Sequence, residues 1–210
     1  AFAHLYCPVG GSKVMNEVAK RLGYSTPEHE PTVAVLHCNG TCENAPDKVE
    51  YIGLQSCRLA NRAFVGKTGC PNGCLRLGDC VRNCPFGAIE MDDQTGLPRV
   101  NPDKCTSCGA CVRICPRGLY EIRPRGKNGV MVYVACSNKQ KGATARKNCK
   151  AACIACMKCT KICPEVTVEE NLSRIPPSVS AKLYGAELAA GCPTGAIVYT
   201  GAKGDKNEQN

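Results

Sequence analysis

The chain has 210 residues and 19 cysteines but only three Phe, three His and no Trp, too few aromatics to rest its stability on an ordinary apolar core. The odd cysteine count, with many cysteines two or three residues apart, argues against a disulfide framework and for metal ligation. A formal charge of +9 without interleaved aromatic and basic residues does not support nucleic-acid binding, and no stretch approaches the ~20 apolar residues of a membrane span.

In chain order, Cys7-Pro8-Val9-Gly10-Gly11 resembles the end of a cysteine motif, and no signal-peptide pattern is visible. A helix follows, with Ser12 as N-cap, an apolar stripe of Val14, Val18 and Leu22 expected to pack, and Gly23 as the C′ residue. Thr26 to Pro31 reads as linker, and Val33 to Leu36 as a short strand running into His37-Cys38. Ala88–Met91 and Leu97–Val100 form a hairpin through Asp92-Asp93-Gln94-Thr95-Gly96. Val130–Val134 is a second apolar strand entering Cys136, and Ser180–Gly191 reads as a short helix with Ser180 as N-cap. Five cysteines repeat: Cys57, Cys70, Cys74, Cys80 and Cys84-Pro85 have the spacing of Cys136, Cys149, Cys153, Cys159 and Cys163-Pro164.

The strongest motif is Cys105-x2-Cys108-x2-Cys111-x3-Cys115-Pro116. Three thiolates on such a tight loop close around one 4Fe–4S cubane, while the fourth, followed by Pro, leaves the loop for the other cluster of the pair. Cys84 should therefore join Cys105, Cys108 and Cys111, and Cys115 should join Cys74 and Cys80. Leu77 stands where the fourth thiolate of that second cluster belongs. Either Cys70 replaces it, the favoured reading, or the site is a three-cysteine, 3Fe or labile centre. Cys153, Cys156, Cys159 and Cys192 should hold a third cluster. Its own partner is lost, because Lys182, Gly185 and Leu188 occupy the expected ligand positions and the Ser180–Gly191 helix fills the space. Cys38, Cys42 and Cys57 could make a fourth cluster with Cys70, in competition with the Leu77-containing site. Cys136, Cys149 and Cys163 are read as buried free thiols or ligands without assigned partners. At roughly −2 per assembled site, three clusters would bring the charge of +9 to about +3.

There is no GxGxxG, Walker sequence or His-rich site, so no independent bond-making catalysis is expected. His4, His29 and His37 are isolated and read as structural. The fold class expected is α+β, a tandem of bacterial-ferredoxin-like units with short strands, hairpins and small helices. Residues 1–31 form a remnant N-terminal cluster domain with its helix, and 32–129 a first half with a dicluster unit. Residues 130–200 form a second, single-cluster half, and 201–210 a polar tail.

The order of motifs resembles the B subunit of Rnf complexes, membrane-bound ferredoxin:NAD oxidoreductases. The likeness rests on Cys7-Pro8-Val9-Gly10-Gly11, Cys38-Asn39-Gly40-Thr41-Cys42, Gly73-Cys74-Leu75-Arg76-Leu77-Gly78-Asp79-Cys80, Val134-Ala135-Cys136-Ser137-Asn138-Lys139 and Glu169-Glu170-Asn171-Leu172. It implies an electron-transfer subunit that takes electrons from soluble ferredoxin and relays them through 4Fe–4S clusters, at least three and up to four here. It also implies other membrane-complex subunits as partners. The expected location is the cytoplasmic face of the membrane, peripheral or anchored by a segment preceding Ala1. Relative to the family, an anchor and the first ligands of the Cys7 cluster are not among residues 1–210, and the last motif is degraded. The alternative function is an electron wire in a soluble, bifurcating oxidoreductase. Two basic segments, Lys139–Lys150 and Arg113–Lys127, flank cluster motifs where an acidic ferredoxin could dock.

Overall fold

The computed structural model describes Cys7 and residues 10–25, 30–126 and 129–201. His4, His29 and Lys127 lie outside the described residues. Among these residues the chain forms four two-stranded antiparallel pairs and seven short helices, the α+β arrangement expected.

The two halves are built alike. In the first, β1 (Thr32–Leu36) pairs with β4 (Tyr120–Pro124), Val33 opposite Arg123 and Val35 opposite Glu121. Between them lie α2 (Cys57–Ala63), α3 (Asp79–Arg82), the hairpin β2 (Ile89–Met91) and β3 (Pro98–Val100), and α4 (Ala110–Ile114). In the second, β5 (Val132–Val134) pairs with β8 (Ile197–Tyr199) and encloses α5 (Gly142–Asn148), α6 (Lys158–Ile162), the hairpin β6 (Thr167–Glu169) and β7 (Leu172–Arg174), and α7 (Ala181–Gly191). The β6–β7 turn has Glu170 and Asn171 both left-handed, at φ 49° and 61°, which matches the twist a two-residue hairpin requires. In each half the first strand pairs with the last, so the cysteine loops are clamped between one closed pair and one hairpin.

The N-terminal helix α1 (Gly11–Arg21) ends as its sequence predicts. Gly23 takes φ +72°, its N–H reaches Lys20 O and that of Tyr24 reaches Ala19 O at 2.8 Å, a Schellman ending. Gly10, not Ser12, occupies the N-cap position, so Ser12 falls inside the first turn. The stripe expected to pack is exposed: Val14, Val18 and Leu22 are 45–58% accessible. Helix α7 starts as predicted, the Ser180 hydroxyl accepting from Leu183 N at 3.4 Å, with Gly185 and Leu188 buried; Gly191, expected as the C′ residue, is instead its last helical residue, and Cys192 is the C-cap.

Cysteine makes up much of the core. Cys136, Cys149, Cys153 and Cys163 are buried with Val132, Val134, Leu172 and Leu188 in the second half, and Cys80 and Cys111 with Ala34, Ile89 and Tyr120 in the first. The halves are joined by polar bonds that do not depend on sequence proximity. His37 bonds Val134 O at 2.7 Å and Glu121 at 2.8 Å, and Asn39 N donates to Ala135 O at 2.8 Å. Arg123, only 3% exposed, donates to Val132 O and Ile175 O. One residue of the expected basic docking segment is thus a buried crosslink, and half-buried Arg117 is engaged within the first half, bonding Cys70 O and Asn61.

Candidate metal centres

Three loops share one backbone conformation. In Cys105–Cys111, Ser107 and Gly109 are left-handed (φ 59° and 73°); in Cys153–Cys159 the same positions are Ala155 and Met157 (54° and 60°). In Cys74–Cys80 they are Arg76 and Gly78 (59° and 74°). Left-handed conformation costs an L-residue about 1 kcal/mol, so its recurrence at Ser, Ala, Met and Arg marks an imposed wrap around something central. Leu77 therefore sits in a cluster-type loop although it is no ligand.

The first quartet is Cys84, Cys105, Cys108 and Cys111, lining one cavity with Ala34, Ile89 and Ile122. Cys84 comes from beyond α3 and crosses to the downstream loop, where Ala88 N donates to its Sγ at 3.3 Å.

The second cavity is lined by Cys57, Cys74, Cys80 and Cys115. Here the arrangement differs from expectation. Cys57, not Cys70, is the fourth cysteine at this cavity. The cause is local. Ser56 N-caps α2 through Leu59 N, and Arg58 N and the Ser56 hydroxyl both reach the Asp79 carboxylate, at 3.1 and 3.4 Å. Asp79 adjoins Cys80 and is 7% exposed, so it pins the start of α2, and with it Cys57, against the Cys74–Cys80 loop. Leu77 packs on Ala60 and Leu75 beside Cys57. Tyr120 donates its hydroxyl to Cys80 Sγ at 3.4 Å, Leu119 N to Cys115 Sγ at 3.4 Å and Arg76 N to Cys74 Sγ at 3.4 Å.

The third cavity is lined by Cys153, Cys156, Cys159 and Cys192. Ser173 N donates to Cys153 Sγ at 3.4 Å and the Ser173 hydroxyl meets Cys159 Sγ at 3.2 Å. Leu188 is fully buried, and a Cβ on Gly185 would meet the Tyr199 ring at 2.3 Å, so α7 packs closely against β8.

The expected set of Cys38, Cys42, Cys57 and Cys70 does not assemble. Cys42 is exposed over the β2–β3 turn, its N–H on Thr95 O, and a Cβ on Gly96 would lie 2.6 Å from its Sγ. Cys38 and Cys70 instead line a fourth cavity with Cys136 and Cys149. Cys163 is fully buried, and Cys7 is exposed. The sequence repeat does not single out Cys57, because its counterpart Cys136 lies outside the Cys153 quartet just as Cys149, the counterpart of Cys70, does.

These quartets suit a cluster better than a single ion. Among the described residues no three His, Cys, Asp or Glu side chains converge closely enough to hold one metal, whereas zinc draws its thiolates to about 2.3 Å from a common centre. A cubane holds its four thiolates apart, around a cavity, and welcomes N–H donors to sulfur. Burial pushes the Cys111 thiol up to about 11 and that of Cys74 higher still. Burial also acts upward on Cys192, but hydrogen bonds from Thr194, Ile197 and Ala196 outweigh it and hold Cys192 below the usual thiol range.

Comparison with known proteins agrees with this chemistry. Residues 68–119 match the family described as the 4Fe-4S dicluster domain. The chain is thus a ferredoxin-like iron–sulfur protein with 4Fe–4S clusters as its cofactors. It is 42% identical over 193 residues to the B subunit of the proton-translocating ferredoxin:NAD(+) oxidoreductase complex of Clostridium ljungdahlii, covering 91% of this chain and 66% of that protein. Identity to the B subunit of the Na(+)-translocating ferredoxin:NAD(+) oxidoreductase complex of Acetobacterium woodii is also 42%, over 91% of this chain and 56% of the relative. The B subunit of the ion-translocating oxidoreductase complex of Methanosarcina acetivorans is 36% identical over 91% of this chain and 71% of its own length. The chain belongs to this family, the B subunits of Rnf complexes, and spans between 56% and 71% of the length of these relatives.

Proposed function

We propose that the chain is an iron–sulfur electron-transfer subunit that accepts electrons from reduced ferredoxin and passes them on within a membrane-bound Rnf-type complex, at the cytoplasmic face of the membrane. The observation that carries this reading is the gathering of Cys84, Cys105, Cys108 and Cys111, of Cys57, Cys74, Cys80 and Cys115, and of Cys153, Cys156, Cys159 and Cys192 around separate cavities. Bound 4Fe–4S clusters supply one-electron exchange at low potential. The chain's residues hold them by crossed ligation, donate N–H and O–H groups to the sulfurs, and surround them with apolar side chains that limit water. No helix among the described residues is long and apolar enough to cross a membrane. Attachment in this reading comes through other subunits or an anchoring segment preceding Ala1.

The docking face in this proposal is the exposed basic run Lys141, Arg146, Lys147 and Lys150 on and beside α5, adjacent to Cys149. Lys139 pairs with Glu170 and Arg125 with Asp103, which removes both from the free positive charge. Steering by such a face raises the association rate and is screened by salt over about 8 Å. Stopped-flow reduction by ferredoxin should slow as salt rises, and reversing Lys141, Arg146 and Lys147 to Glu should slow it at low salt and flatten that dependence. An unchanged second-order rate and salt slope in the triple variant would remove this face from the proposal. A reconstituted protein that reduced ferredoxin cannot reduce would remove ferredoxin as the donor.

A further inference from the structure

The fourth cavity lies at the junction of the halves and is lined by loops of both, within residues 38–74 of the first and 135–152 of the second. Cys38 stands just beyond β1 and Cys136 just beyond β5; Cys70 leads into the Cys74 loop and Cys149 caps the end of α5, leading into the Cys153 loop. Each half therefore contributes one cysteine from the end of its first strand and one from the approach to its first cluster loop. Cys70, Cys136 and Cys149 are 7%, 9% and 9% exposed.

Every sulfur of this quartet has a donor. Cys74 N reaches Cys38 Sγ and Cys153 N reaches Cys136 Sγ, both at 3.4 Å. The buried Asn138 amide points to Cys70 Sγ at 3.6 Å, and Ala151 N–H serves Cys149. Arg76, its side chain 7% exposed, holds Gly40 O and Ala45 O at 2.7 and 2.8 Å and places a positive charge near Cys38 and Cys149. Its Nε has no partner. Buried free thiols acting as small hydrophobes would be close-packed around no such cavity and would not need a donor on each sulfur. All four are free cysteines, so disulfides do not account for them.

We infer that Cys38, Cys70, Cys136 and Cys149 bind a fourth 4Fe–4S cluster that joins the two halves. The inference rests on the proposed iron–sulfur function and extends it. The two flanking quartets touch this one directly: Cys74 belongs to the site with Cys57, Cys80 and Cys115, and Cys153 to the site with Cys156, Cys159 and Cys192. The only chemistry asked of the site is one-electron exchange with its neighbours, in which no bond is made and no proton moves. Without it, the second half would hold a cluster with no hydrogen-bonded neighbour in the first.

Native mass spectrometry of the anaerobically reconstituted full chain, read with EPR of the reduced protein, tests this. Wild type should carry four clusters, about 16 iron atoms. Cys70→Ala and Cys149→Ala should each carry three and keep the EPR signals of the other sites, while Cys163→Ala, a buried cysteine outside every quartet, should keep four. Wild type saturating at three clusters overturns the inference and leaves the proposed function standing. Cys70→Ala and Cys149→Ala both retaining four clusters also overturns it. A chain that takes up no iron overturns the inference and the proposed function together. Should the variants fail to fold, the wild-type mass decides alone.

Discussion

Asp79→Ala should release the iron held by Cys57 while sparing the rest. The carboxylate accepts from Arg58 N at 3.1 Å and from the Ser56 hydroxyl at 3.4 Å, and pairs with Arg82. Charge-assisted hydrogen bonds contribute about 1.5–3 kcal/mol each, and the Arg82 side chain, 52% exposed, adds little once screened. The 3.4 Å Ser56 contact is weaker than the 3.1 Å bond from Arg58 N, so losing the anchor should favour opening of the start of α2 by about 2–4 kcal/mol, roughly 30- to 700-fold. The assay is iron release to a ferrous chelator under anaerobic conditions. One cluster's share of the iron should leave in a new fast phase, the remainder at the wild-type rate. Asp79→Asn keeps an acceptor for Arg58 N and should fall between. No fast phase, or a fast phase whose loss is the EPR signal of the Cys84/Cys105/Cys108/Cys111 site, would refute the reasoning.

Tyr120→Phe removes the hydroxyl donated to Cys80 Sγ; with less stabilisation of the reduced, more negative cluster, its potential should fall by roughly a few tens of millivolts in an EPR-monitored redox titration. Arg123→Ala leaves Val132 O and Ile175 O without their buried donor and should destabilise the holo-protein by about 3–5 kcal/mol, seen as a lower Tm with the spectra of the first half unchanged at low temperature. Complete removal of iron should leave the chain largely disordered by far-UV circular dichroism, because cluster binding supplies folding free energy that this aromatic-poor core lacks; equal Tm for apo- and holo-protein would contradict it.

Contiguous signals in the sequence translate well into structure. The spacing of Cys105, Cys108 and Cys111 and the crossing of Cys84 follow from how tightly a loop can wrap one cubane. Helix α7 is legible because the Ser180 N-cap and an alanine-rich middle are local signals, although Gly191 ends up inside the helix rather than beyond it. What is not legible are assignments that depend on contacts across the chain. Counting ligands back along one motif favours Cys70 over Cys57, whereas Asp79 reaches across 21 residues to dock α2. The Cys38, Cys70, Cys136 and Cys149 quartet spans both halves, so no local spacing announces it. Counting charges does not tell that Arg123 faces inward: on β4 the buried positions are Tyr120 and Arg123, and an arginine there finds two carbonyls of the other half.

The most direct test of the account is Mössbauer spectroscopy of the 57Fe-reconstituted chain, wild type and Cys84→Ala. In wild type all protein-bound iron should appear as 4Fe–4S. In the variant the lost or altered component should be the cluster of Cys105, Cys108 and Cys111, identified by comparison with Cys108→Ala. Isolated iron–tetrathiolate signals in wild type, or a Cys84→Ala protein that instead loses the component missing from Cys80→Ala, would contradict it.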